Sequence, residues 1–175
     1  MRKLHKIILL LLLITLLAAA CSLNNSEEAQ RIEVPVTSVI DGDTIRVLIN
    51  GKEERVRFLL IDTPEMNHST PEEPQPFAVE ATEYVEKLLE GGTVELEFDI
   101  SERDRYGRLL AYLYVEDKNI QEELLRNGLA RVAYIYEPNT KYVDHFQSIQ
   151  KEAQKQEIGI WSIENYASEN GFYLE

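Results

Sequence analysis

The sequence predicts an α+β fold in which five strands close into a barrel and three helices pack on its outside. Three observations carry this: apolar residues alternate with period two in five runs, they recur at helical spacing in three others, and glycines or asparagines punctuate the joins. With 175 residues, 44% of them hydrophobic and 28% charged, the chain can bury one core of ordinary size, so one domain is expected.

The first strand is expected from Ile32, where Ile32, Val34 and Val36 share a face and Pro35 suits an edge or entry position. The second runs from Asp43 to Ile49 with Ile45, Val47 and Ile49 aligned. Asn50-Gly51 then turns the chain into a third strand, Glu53 to Ile61, because both residues tolerate positive φ. Phe77, Ala81, Tyr84, Val85 and Leu88 fall on one helical stripe that Gly91-Gly92 ends. Strands four and five follow, Val94, Leu96 and Phe98 alternating with Glu95 and Glu97, and Leu109, Ala111, Leu113 and Val115 alternating with Arg108, Leu110, Tyr112 and Tyr114. Ile120, Leu124 and Leu125 mark a second helix stopped at Asn127-Gly128. Tyr142, Phe146, Ile149 and Ala153 mark a third, ahead of Ile158-Gly159-Ile160-Trp161. The stretch Ser69 to Pro76, with three prolines, must be a loop. Five strands in this order suggest an OB-like barrel.

The N-terminus belongs to processing rather than to the fold. Arg2, Lys3 and Lys6 form a cationic start, and the fourteen residues from Ile7 to Ala20 are apolar except Thr15, short for a membrane span and right for a signal segment. The run ends in Leu17-Ala18-Ala19-Ala20-Cys21, which resembles the lipobox of bacterial lipoproteins. Residues 1–20 are therefore expected to be a signal peptide, Cys21 the lipidated residue, and residues 21–31 a polar tether to a folded domain over 32–175. A plain secretory signal with an incidental cysteine, or an uncleaved anchor, are the alternatives. The expected location is the extracytoplasmic face of the cell membrane.

Removal of that segment leaves 15 basic against 31 acidic residues, a net charge of −16. Such a balance argues against a protein that coats nucleic acid through bulk charge, though a local basic cleft remains open. The single cysteine excludes a disulfide framework and a multi-cysteine zinc site. His68 and His145 lack a ligand-spaced partner and read as solvated or structural.

Three short motifs carry the chemistry. Asp41-Gly42-Asp43-Thr44 sets two carboxylates at a turn, where they suit a hard cation or an ordinary Asx turn. Arg57 lies within the apolar run Val56 to Ile61, so its guanidinium must find an anion or reach water, and that run ends in Asp62-Thr63-Pro64-Glu65. Asp104-Arg105-Tyr106-Gly107-Arg108 presents two arginines and a phenol at a hairpin, and arginine forks match phosphate oxygens. Five residues separate Arg57 from Asp62, so an unbroken strand would point them to opposite faces; one site requires a twist or bulge before Pro64.

These motifs, with Asn127-Gly128-Leu129-Ala130-Arg131-Val132-Ala133-Tyr134, occur in one order at compatible spacings, and from about Val36 to Trp161 the sequence strongly resembles the staphylococcal nuclease (thermonuclease) family. The resemblance implies a calcium-dependent phosphodiesterase that acts on DNA and RNA and leaves 3′-phosphates. It implies Asp43, Asp62 and the Thr63 carbonyl as calcium ligands, Asp41 as an acid behind them, and Arg57 and Arg108 as phosphate-binding arginines. Glu65 would be the general base, and Arg105, Tyr106 and Tyr134 would contact the nucleotide. Carboxylates, a carbonyl and water suit calcium or another hard ion, and the absence of a cysteine or histidine cluster argues against zinc. No obligate protein partner is implied, and a monomer is expected. Where the family's best-known member carries lysines, this chain has Met66 to Glu73, so weaker affinity for polyanions is expected. A catalytically silent OB module that binds oligonucleotides or protein, and a calcium-binding lipoprotein, are the rival readings.

Overall fold

A computed structural model of the chain describes residues 30–67 and 73–173. The signal segment, Cys21, most of the tether and His68 lie outside the described residues. The elements are β1 (Arg31–Asp41), β2 (Thr44–Ile49), β3 (Lys52–Phe58), β4 (Ile61–Asp62), α1 (Ala78–Leu88), β5 (Thr93–Arg103), β6 (Leu109–Val115), β7 (Lys118–Asn119), α2 (Ile120–Arg126), β8 (Arg131–Val132), α3 (Val143–Lys155), a 3-10 turn at Gly159–Ser162, β9 (Ala167–Ser168) and β10 (Gly171–Phe172).

Five of these strands close the expected barrel. β1 pairs antiparallel with β2 and β5, β2 with β3, and β5 with β6. The ring is shut by a parallel pairing of β3 with β6, through Val56–Leu109, Arg57–Leu110 and Phe58–Ala111. Closure removes the free edges that a twisted five-stranded sheet would otherwise expose. Asn50 and Gly51 both take positive φ, 51° and 78°, which is the hairpin geometry expected of that pair.

Ile45, Val47, Val56, Phe58, Leu96 and Ala111 are buried, with α1 and α2 packed on the barrel. Apart from Ala111, each of these side chains contributes about 1.5–3 kcal/mol by leaving water. Asn119 caps α2, its Oδ1 accepting from Glu122 N at 3.0 Å. Gly128 ends the same helix at φ 64°, and a Cβ there would collide with the Ile158 carbonyl. That close approach lets Ile160 N donate to Gly128 O at 2.8 Å, seating the 3-10 turn against α2.

Two expectations about strand faces change. Glu97, expected outward on its strand, is 1% exposed. Its Oε1 accepts from Lys141 Nζ at 2.7 Å and Tyr142 Oη at 2.9 Å, because the approach to α3 crosses that face of β5. Tyr112 and Tyr114, expected on the polar side of β6, are buried too, Tyr112 against Tyr142 and Phe146. Period two shows which residues share a face but not that both faces are covered. β1 takes in Arg31, the last residue of the expected tether: its guanidinium lies 3.5 Å from the Tyr114 ring centroid and 3.3 Å from Glu95.

The third strand stops earlier than its apolar run. Leu60 adopts φ 65°, an unfavourable conformation for a leucine, held by Ala133 N donating to Leu60 O at 3.0 Å. The chain re-enters extended structure as β4, which pairs with β8 rather than with the barrel. This break is the bulge that the spacing of Arg57 and Asp62 required.

Candidate active site

The site forms where the β1–β2 turn, the kink after β3 and β8 meet. Asp41 and Asp43 flank Gly42, and the Asp41 Oδ1 accepts from Asp43 N at 3.1 Å, an Asx turn that holds the second acid inward. The glycine is needed for room: a Cβ on Gly42 would lie 2.8 Å from both Ala81 Cβ and Thr63 Oγ1. Asp43 is therefore pressed against the Asp62-Thr63 segment, where its Oδ2 accepts from Thr63 N at 3.1 Å and its Oδ1 from Thr44 Oγ1 at 3.0 Å.

Arg57 finds its anions inside the protein. Its Nη2 is 3.0 Å from Asp43 Oδ2 and 3.4 Å from Asp62 Oδ1, and its Nη1 donates to Phe58 O at 3.1 Å and Ile61 O at 3.0 Å. Both carbonyls face the guanidinium because the chain turns at Leu60. Arg57 also lies 5.2 Å from the Tyr134 ring centroid. Tyr134 is itself at φ 53°, so two residues in strained left-handed backbone, Leu60 and Tyr134, flank the site.

A cavity of about 650 Å³ opens beside this corner. Arg57, Glu65, Arg105, Tyr106, Arg108 and Tyr134 all line it. Arg108 is steered by Asp104, its Nε donating to Asp104 Oδ2 at 2.7 Å. Tyr106 lies between the two arginines of its turn: Arg105 Nη2 is 2.6 Å from its Oη, and Arg108 is 5.7 Å from its ring centroid. Glu65 is exposed at the mouth, its backbone fixed by Gln75 through Glu65 N to Gln75 Oε1 at 2.8 Å and Gln75 N to Glu65 O at 3.0 Å.

The acids oppose one another. Burial, and then the charge of Asp43, push the Asp41 carboxyl up to about 7. Asp62 is raised for the same reasons in the same order, and Glu65, though open to solvent at the mouth, is raised by partial desolvation and then by the charges of Asp43 and Asp62, against the pull of nearby arginines. Among the described residues no three acids converge closely enough to hold a metal ion as they stand. The donor chemistry nonetheless fits a hard cation: the corner gathers the carboxylates of Asp41, Asp43, Asp62 and Glu65 with the Thr63 oxygens, and among the described residues Arg57 and Arg131 ion-pair with these acids. Thr63 Oγ1 is buried there without a hydrogen-bond partner.

Every site residue expected from the sequence within the described residues falls at this corner or in its cavity. Two further residues were not singled out. Tyr136, 70% exposed, lines the same cavity 6.5 Å from Tyr134. Arg131, 5% exposed, grips Asp62 with Nη2–Oδ2 at 2.7 Å. The signal for Arg131 was the one that flagged Arg57: an arginine inside an apolar run, here Leu129 to Tyr134. His145 pairs with Glu122 at 3.1 Å, away from the site.

The sequence profile of the family described as "Staphylococcal nuclease homologue" matches residues 55–163. Endonuclease YncB of Bacillus subtilis (strain 168) is 45% identical over 150 residues, 85% of this chain and 71% of its own length. The SPbeta prophage-derived endonuclease YokF of the same organism is 47% identical over 142 residues, 81% of this chain and 48% of its own. The thermonuclease of Staphylococcus hyicus is 43% identical over 128 residues, 73% of this chain and 74% of its own. On these matches, the chain belongs to the staphylococcal nuclease family.

Proposed function

We propose that this nuclease is a calcium-dependent phosphodiesterase that cleaves DNA and RNA to 3′-phosphate products, anchored by a lipid on Cys21 at the extracytoplasmic face of the cell membrane and acting as a monomer. The observation that carries the catalytic reading is the shared cavity: Glu65, the arginines Arg57, Arg105 and Arg108, and the tyrosines Tyr106, Tyr134 and Tyr136 surround one space beside a corner rich in carboxylates.

Asp43, Asp62 and the Thr63 carbonyl would hold the calcium ion, with Asp41 behind Asp43. Bound calcium supplies positive charge against the phosphate. Glu65 takes a proton from water as the water oxygen attacks phosphorus. The phosphorus–O5′ bond breaks, the phosphate stays on the 3′ side, and the leaving 5′ oxygen takes its proton from solvent. Arg108 and Arg57 offset the charge that grows on the non-bridging oxygens. Tyr106, Tyr134 and Tyr136 offer faces for a base or sugar, with Arg105 at the rim.

The test incubates the chain from Ser22 onward with DNA and with RNA, in calcium or in chelator, and resolves the products on a gel. Calcium-dependent cleavage of both with 3′-phosphate ends is expected. Binding without cleavage in calcium would establish the silent OB module instead.

A further inference from the structure

The Asp62 carboxylate is gripped from behind the cleft. Arg131 on β8 directs Nε, at 3.1 Å, and Nη2, at 2.7 Å, to the same oxygen, Asp62 Oδ2. Its third nitrogen, Nη1, donates to Ser168 O at 3.2 Å and Glu169 O at 3.0 Å, and its guanidinium carbon is 5.4 Å from the Phe172 ring centroid. Those residues belong to the β9–β10 hairpin, which lies beyond residue 163, where the family match stops. The hairpin is itself tied down: Tyr166, 1% exposed, donates its Oη to Pro76 O at 2.8 Å and receives Tyr173 N on its carbonyl at 2.8 Å.

A carboxylate turns easily about its last torsion, because that torsion has broad wells. Two donors on one oxygen remove that freedom and leave the other oxygen, Oδ1, on the side of Arg57. The same guanidinium cannot swing away, since its remaining nitrogen is committed to two hairpin carbonyls and Phe172 lies against it. A lysine, with donors at a single point, cannot span Asp62 and the hairpin together.

We infer that Arg131, locked by the C-terminal hairpin, is a positioning residue that fixes the Asp62 carboxylate for cation binding, so that the hairpin sets the calcium affinity of the site. This rests on the calcium-dependent reading above. It makes residues 167–172, far from the chemistry in sequence, part of the metal site's support. Groups that orient a metal ligand in this way change metal affinity by about 10–100-fold when removed.

The test uses Arg131→Lys and Phe172→Ala in the chain from Ser22 onward; both preserve the charge of the site and so isolate orientation. Calorimetry gives the calcium Kd, a thermal melt gives Tm, and oligonucleotide KM is measured at saturating calcium. Arg131→Lys should raise the calcium Kd ~10-fold or more. Phe172→Ala should raise it less, and Phe172→Tyr, which keeps the ring, should restore it. KM at saturating calcium should stay unchanged in all three. A lowered Tm with a wild-type calcium Kd in both variants would make the contact a structural clamp only and overturn the inference. A weakened Arg131→Lys beside an unchanged Phe172→Ala would remove the hairpin from it. If Arg131→Lys does not fold, Phe172→Ala decides alone. Wild-type protein that neither binds calcium nor cleaves defeats the underlying reading, and this inference with it.

Discussion

Arg57 and Arg108 are both assigned to the phosphate, yet the structure makes their conservative replacements separable. Arg57→Lys removes a fork that makes two charge-assisted bonds to carbonyls, Phe58 O and Ile61 O, besides its contacts with Asp43 and Asp62. A lysine ammonium can satisfy only part of that set. Losing one to two such bonds, at ~1.5–3 kcal/mol each, destabilises the fold by about 2–4 kcal/mol. For a domain of this size that lowers Tm by on the order of 10 °C. Arg108 is partly exposed and, among the described residues, its ion pair is with Asp104, so Arg108→Lys should leave Tm within about a degree or two. In the proposed mechanism, both replacements put a point charge where a fork meets a phosphate whose charge grows in the transition state, so each should cost ~10²-fold or more in kcat. Thermal melts and single-turnover cleavage of a short oligonucleotide at saturating calcium measure the two effects on the same samples. Wild-type turnover in Arg108→Lys would remove that residue from the site. Wild-type Tm in Arg57→Lys would mean that its carbonyl contacts do not hold the kink after β3.

Glu65→Gln keeps shape and removes the proton acceptor, so kcat should fall ~10²-fold or more with a small change in calcium Kd; normal cleavage at saturating calcium would place the base elsewhere. Asp43→Asn and Asp62→Asn should instead weaken calcium binding, with activity partly recovered at higher calcium, as read by calorimetry and calcium titration of the rate. The Asp41 carboxyl is raised to about 7, so the calcium-free folded state holds a proton that the unfolded chain releases near pH 4. Stability from this group is therefore greatest below the unfolded value and falls as pH rises toward 7. Calcium-free Tm should drop between pH 5.5 and about 7.5, and Asp41→Asn should flatten that slope; an equal slope in the variant would assign it to other groups. Cys21→Ala should release the protein into the medium, scored by immunoblot of membrane and medium fractions, and continued membrane retention would show the apolar segment itself to be the anchor.

By itself the sequence determined the five barrel strands, the three helices and the family. Local patterning reports which side chains share a face and where the chain must turn, which is why Asn50-Gly51, the α2 stop at Gly128 and the five barrel strands were legible. The motifs at Asp41, Arg57, Asp62 and Arg108 were legible because charges beside or inside apolar runs are costly unless used. The tertiary structure decided everything that depends on approach between segments distant in the chain. The kink at Leu60 is held by Ala133, which no local pattern announces, and it alone brings Arg57 and Asp62 to one side. Gly42 is required by the proximity of Ala81 and Thr63 rather than by the turn it sits in. Glu97 is buried because the chain entering α3 crosses β5. The grip of Arg131 on Asp62 spans 69 residues, and its support by Ser168 a further 37. Periodicity is a property of neighbours along the chain, whereas an ion pair, a crowded glycine or a covered face is set by which surfaces meet once the barrel has closed.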